Sequence, residues 1–165
     1  MKWIGVACLI LAGAGLGLWK AARLSFRAQW LDEAVRMIRR AGEEIRFSAA
    51  PTQVWLGALC QSGEFRRLTF LRAAATCPPS EFHTLWRRET ARLPAELTDR
   101  DRALFRQFGE ALGTTDIAGQ LALCEEYGNQ FEEQRMEART AEREKSRLYG
   151  TLGLLGGLGS ALLAV

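Results

Sequence analysis

His83 is the single histidine, and it follows Cys77 by six residues with Cys60 further back, so the first chemistry to weigh is a metal site. Zinc is held by ligand pairs a few residues apart, and no such pair is present. Cys8, Cys60, Cys77 and Cys124 stand singly, with no disulfide framework. They fit small apolar fillers in a reduced, cytosol-facing domain. The carboxylates lie mostly beside arginines, as on a solvated surface, whereas acid–base chemistry needs a cleft that the sequence does not announce. Phosphate loops, nucleophile elbows and dinucleotide fingerprints are missing. No catalytic, cofactor-binding or metal-binding residue is expected, and the chain reads as a non-enzyme.

The polar residues that stand out do so for structural reasons. Leu112-Gly113-Thr114-Thr115-Asp116 opens a long helix. Gly113 suits the left-handed position that closes the preceding helix, a Thr serves as N-cap, and Asp116 places negative charge on the new helix's positive end. Gln120 lies one turn further on, suited to interhelical hydrogen bonding. Ile117, Leu121, Cys124, Tyr127 and Phe131 share one face of this helix, which must be buried. After Phe131 the apolar face stops. Glu132 to Arg147 is almost wholly charged, with pairs such as Glu132–Arg135 and Arg139–Glu142, as expected of a solvated helical stalk.

These elements sit between two apolar ends. Trp3 to Trp19 carries no charge, and Lys20, Arg23 and Arg27 follow it. Ala12-Gly13-Ala14 resembles a signal-peptide cleavage pattern, but the run is long for a signal core, and positive charge is heavier after it than before it. An uncleaved anchor is expected. The segment from Leu148 to Val165 is also uncharged and spans about 27 Å as a helix, enough for a slightly thinned bilayer. The basic flanks put the middle in the cytoplasm and both termini on the far side. Gly13 with Gly17 and Gly153 with Gly157 have the small-residue spacing that lets membrane helices approach, either the two anchors of one chain or anchors of separate copies in a homo-oligomer.

The chain of 165 residues leaves room for one modest domain between those ends, and its net charge of +3 shows no basic stripe of the kind that binds nucleic acid. Helical spacing continues from Ala21 to Phe47, Pro51 to Cys60 and Phe65 to Ala75. Pro78-Pro79 is a break, with Ser80 placed to cap the next helix. Thr98-Asp99-Arg100-Asp101 has the form of a capping box. No stretch alternates long enough to be a strand. The expected fold is all-α: residues 1–20 and 148–165 as transmembrane helices, and 21–147 as a cytoplasmic bundle of short helices between two long ones.

The motif Leu-Gly-x-x-Asp-x-x-x-Gln at 112–120, entered through Phe108-Gly109-Glu110-Ala111, combines with the closing Leu152-Gly153-Leu154-Leu155-Gly156-Gly157-Leu158. In that combination, over nearly the whole chain, the sequence resembles the stage III sporulation protein AB family. The resemblance implies a membrane scaffold in the channel complex joining mother cell and forespore, located in the mother-cell membrane around the forespore. It also implies a helical domain similar to the cytoplasmic domains of the type II secretion platform protein. The partners it implies are other proteins of that complex, notably its cytoplasmic ATPase, stage III sporulation protein AA. Gly113, Asp116 and Gln120 match the family motif and read as structural. Arg66, Arg67, Arg87 and Arg88 are the candidate surface for an acidic partner. Gly119, costing roughly 1 kcal/mol within a helix, is expected to mark close approach by another backbone. Two other readings stay open: a platform subunit of another secretion or pilus system, and a small membrane-tethered metal protein using His83 and Cys77.

Overall fold

A computed structural model describes residues 2–48 and 51–163, with the side-chain surroundings of 15, 17, 19–48 and 51–145. Six α-helices and no strand occur among the described residues: α1 (Lys2–Ser48), α2 (Thr52–Ser62), α3 (Phe70–Thr76), α4 (Phe82–Thr90), α5 (Asp99–Ala111) and α6 (Ile117–Leu163). A single 3-10 turn, Pro79–Glu81, precedes α4. The fold is all-α, as expected. The chain forms two compact units, one made of Met1–Ala28 with Glu137–Val165, the other of Gln29–Met136. No helix among the described residues is long and apolar enough to cross a membrane. The side chains of the expected anchors, 1–20 and 148–165, lie largely outside those described, as do Gly13, Gly153 and Gly157.

In the terminal unit, the Arg23 guanidinium lies 5.0 Å over the Trp19 ring, and Arg139 donates to Glu142 at 3.0 Å. Arg27, Ala28 and Ala138 are buried.

The central unit is built on an antiparallel pair, Gln29–Ser48 of α1 against Ile117–Met136 of α6. Asp32 pairs with Arg135 and Arg39 with Glu132, both at 3.4 Å. A methyl group at Gly128 would meet Ile38 at 3.7 Å, and one at Gly42 would meet Cys124 at 3.5 Å. The buried face of α6 therefore does not stop at Phe131. Gln134 and Ala138 continue it at helical spacing, so the charged stretch is packed at its start rather than solvated throughout. Gln134, with its amide turned to satisfy both neighbours, donates to Asp101 at 3.2 Å and accepts from Arg100.

Phe105 of α5 ties the rest together, touching one ring from each of four other helices. Trp30 of α1 is at 4.9 Å, Phe70 of α3 at 5.3 Å, Trp86 of α4 stacked at 5.7 Å and Phe131 of α6 at 5.2 Å. Such pairs add about 0.5–1.5 kcal/mol each beyond the area they bury.

Local signals explain most of the boundaries. Thr98 accepts from the Asp101 N–H at 3.2 Å while Asp101 accepts from the Thr98 N–H at 2.9 Å, completing the capping box. Gly63 ends α2 with φ +69°. Two expectations need correction. Ser80 does not cap α4, because it lies inside the 3-10 turn and α4 begins at Phe82 without a side-chain cap. The third helix begins at Phe70 rather than near Phe65, because the Arg67 N–H donates 2.8 Å to the buried Glu33 carboxylate, diverting the backbone before a helix can start.

Candidate functional site

The motif residues build a corner between α5 and α6. Gly113 adopts φ +75°, a conformation costly to any residue with a Cβ, and its N–H donates to Gln120 Oε1 at 3.1 Å. Gln120 Nε2 donates to Thr115 Oγ1 at 2.9 Å and reaches the Ala111 carbonyl at 3.4 Å, so this buried side chain is fully engaged. The cap of α6 is Asp116 rather than a threonine, since its Oδ1 accepts from the Gly119 N–H at 2.9 Å. The crowding at Gly119 comes from the start of its own helix. A Cβ there would meet the Thr115 side chain at 2.7–2.8 Å and Asp116 Oδ1 at 3.0 Å, so the glycine makes room for its own helix's cap. Beside this corner lies a half-open cavity of about 350 Å³, lined by Gly113 and Gln120 together with Ile45, Trp55, Phe82 and His83.

The four candidate arginines are not one surface. Arg67 is a strut: Nη1 bonds the buried Glu33 carboxylate at 2.7 Å and Nη2 bonds Gln29. Arg87 pairs with Glu110 and Arg88 with Glu89, both at 3.2 Å. Arg87 lines a cleft of about 400 Å³ with Arg102, Arg106 and Asp99, in which Arg102 is already held by Asp99 and the Pro94 carbonyl. Arg66 lies elsewhere, on a pocket of about 290 Å³ between α2 and α3 that it shares with Arg72. Arg72 was not among the candidates from sequence, since no local motif distinguishes it from other helical arginines.

Gly109 stood in the sequence only as part of the run leading into the motif, although a glycine in mid-helix is a signal for close packing. A Cβ at Gly109 would fall 1.9 Å from Trp86 Nε1, which donates to the Phe105 carbonyl at 2.8 Å. Only glycine lets α5 pass this close to the Trp86 ring.

The residues considered for metal chemistry are otherwise engaged. His83 Nδ1 lies 3.2 Å from the Gly109 carbonyl, and Cys77 Sγ donates to the Ala74 carbonyl at 3.3 Å. No group of three metal-ligating side chains occurs among the described residues. Burial pushes the thiols up: Cys124 to about 11, Cys77 upward, and Cys60 upward against a smaller downward pull from Arg72. Neutral thiols are poor nucleophiles and poor ligands.

No curated protein and no solved structure matches the chain. The family model for stage III sporulation protein AB matches residues 2–165, from the first apolar run through the capped helical corner to the last. The chain therefore belongs to the stage III sporulation protein AB family, with a role in sporulation.

Proposed function

We propose that the chain is a non-enzymatic membrane scaffold of the stage III sporulation complex, the channel between mother cell and forespore, and that its central unit docks the complex's cytoplasmic ATPase. In this reading residues 1–20 and 148–165 are anchored in the mother-cell membrane around the forespore. The unit between them faces the cytoplasm. The observation that carries the reading is the family match along residues 2–165. The internal chemistry agrees with it. Asp101, Glu33 and Gln120 are buried polar side chains bonded within the chain, a use that stiffens the central unit.

The test is to purify the tagged full-length chain from detergent-solubilised membranes of sporulating cells. The expected result is recovery of other stage III sporulation proteins, the AA ATPase among them. Recovery of secretion or pilus components in their place would move the assignment to a different platform, and recovery of no partner would overturn it.

A further inference from the structure

We propose that the pocket between α2 and α3 is a socket for a segment of a partner protein that carries a large apolar side chain next to a carboxylate. This deepens the scaffold reading and rests on it. The floor is made of Leu59, Phe65, Leu68 and Leu71, all buried core residues that turn one side toward the opening. At about 290 Å³ the pocket is near the lower limit for a ligand site, the right scale for one or two side chains.

Its rim supplies the second half of the recognition. Arg66 and Arg72 are exposed, no carboxylate lines the pocket, and neither arginine is paired with one among the described residues. Arg67, Arg87, Arg88 and Arg102 are all held by carboxylates of the chain itself. Two uncommitted guanidiniums over an apolar floor select an occupant that is apolar below and anionic above. Guanidinium is weakly hydrated and grips a carboxylate through paired N–H donors, so little is lost when an occupant covers it. An apolar anchor in a pocket, ringed by polar contacts that exclude water, is also the common form of an interface hot spot.

Cys60 lines the same pocket and serves as a built-in reporter, while Cys77 lies outside it and serves as control. The full-length chain in neutral detergent is alkylated with iodoacetamide, and both rates are read by mass spectrometry. Millimolar acetyl-Glu-Leu-Phe-Glu-amide is expected to slow Cys60 severalfold and leave Cys77 unchanged. The same peptide with Gln for Glu, or with Ala for Leu and Phe, is expected to have little effect. Protection should vanish in the Arg66→Glu, Arg72→Glu double variant. No protection by the acidic peptide, or equal protection by the glutamine peptide, overturns the proposal. So does protection by anionic phosphatidylglycerol vesicles without protection by the peptide, which would make the pocket a lipid site.

A second measurement separates this proposal from the reading beneath it. In the co-purification from sporulating cells, the double variant is expected to lose one partner by about tenfold or more. Recovery of every partner at the original level overturns the socket and leaves the scaffold standing. If the unmodified chain recovers no partner, the scaffold reading fails, and the peptide assay still decides the socket.

Discussion

The cavity beside Gly113 and the pocket beneath Arg66 lie in the same compact unit and are of similar size, about 350 and 290 Å³. They differ in where their polar groups direct their hydrogen bonds. At the first, Gln120 closes the αL turn, Thr115 and the Ala111 carbonyl take up its amide, and Asp116 caps the next helix. At the second, two cations look outward over an apolar floor. The louder motif thus belongs to the corner that is already complete, and the incomplete place has no motif. Polar groups satisfied internally report on folding; those left over report on partners.

Arg66 and Arg67 put this contrast on adjacent residues and give the largest predicted effect. Arg67→Ala removes the guanidinium from the Glu33 carboxylate, whose side chain is only 4% exposed, and leaves it the residue 67 N–H alone, which should cost about 2–3 kcal/mol in denaturation of the full-length chain. Arg66→Ala should stay within about 0.5 kcal/mol. Equal effects would erase the distinction between the committed arginine and its uncommitted neighbour.

Next in size are the corner residues. Gln120→Ala leaves the Gly113 N–H without its acceptor and Gly113→Ala forces a Cβ into the left-handed region, so each should cost about 1–2 kcal/mol in the same assay. A loss of partner recovery without a loss of stability would transfer the corner from folding to function.

The smallest effect is in the thiols. Burial raises the Cys124 pKa from 9.0 to about 11, so the fold prefers the neutral thiol. Its contribution is complete below pH 9 and declines as pH climbs through 11, by roughly 1 kcal/mol at pH 10. Cys124→Ala should flatten that part of the stability–pH curve, and an unchanged slope would remove Cys124 as its source.

Signals confined to a few residues were legible in the sequence: the Thr98–Asp101 box, the glycine at 113, and the absence of period-two alternation. Each depends on backbone geometry that neighbours alone decide. Choices settled by distant parts of the chain were not legible. Nothing near Arg67 reveals that Glu33 is waiting for it, so Arg66, Arg67, Arg87 and Arg88 looked alike. Asp116 and Thr115 were both eligible to cap α6, and only the completed turn shows the carboxylate taking the Gly119 N–H while the hydroxyl receives Gln120. The charged run after Phe131 looked solvated because its partners, Asp32 and Arg39, are far away in the sequence. The pocket under Arg66 was invisible for the same reason: its floor is gathered from α2, α3 and the loop between them.

The pairing of Asp32 with Arg135 means that the polypeptide enters the central unit and leaves it at neighbouring points. A pull exerted on the central unit would be divided between two covalent tethers that leave it at neighbouring points, loading both in parallel instead of prising one away from the other.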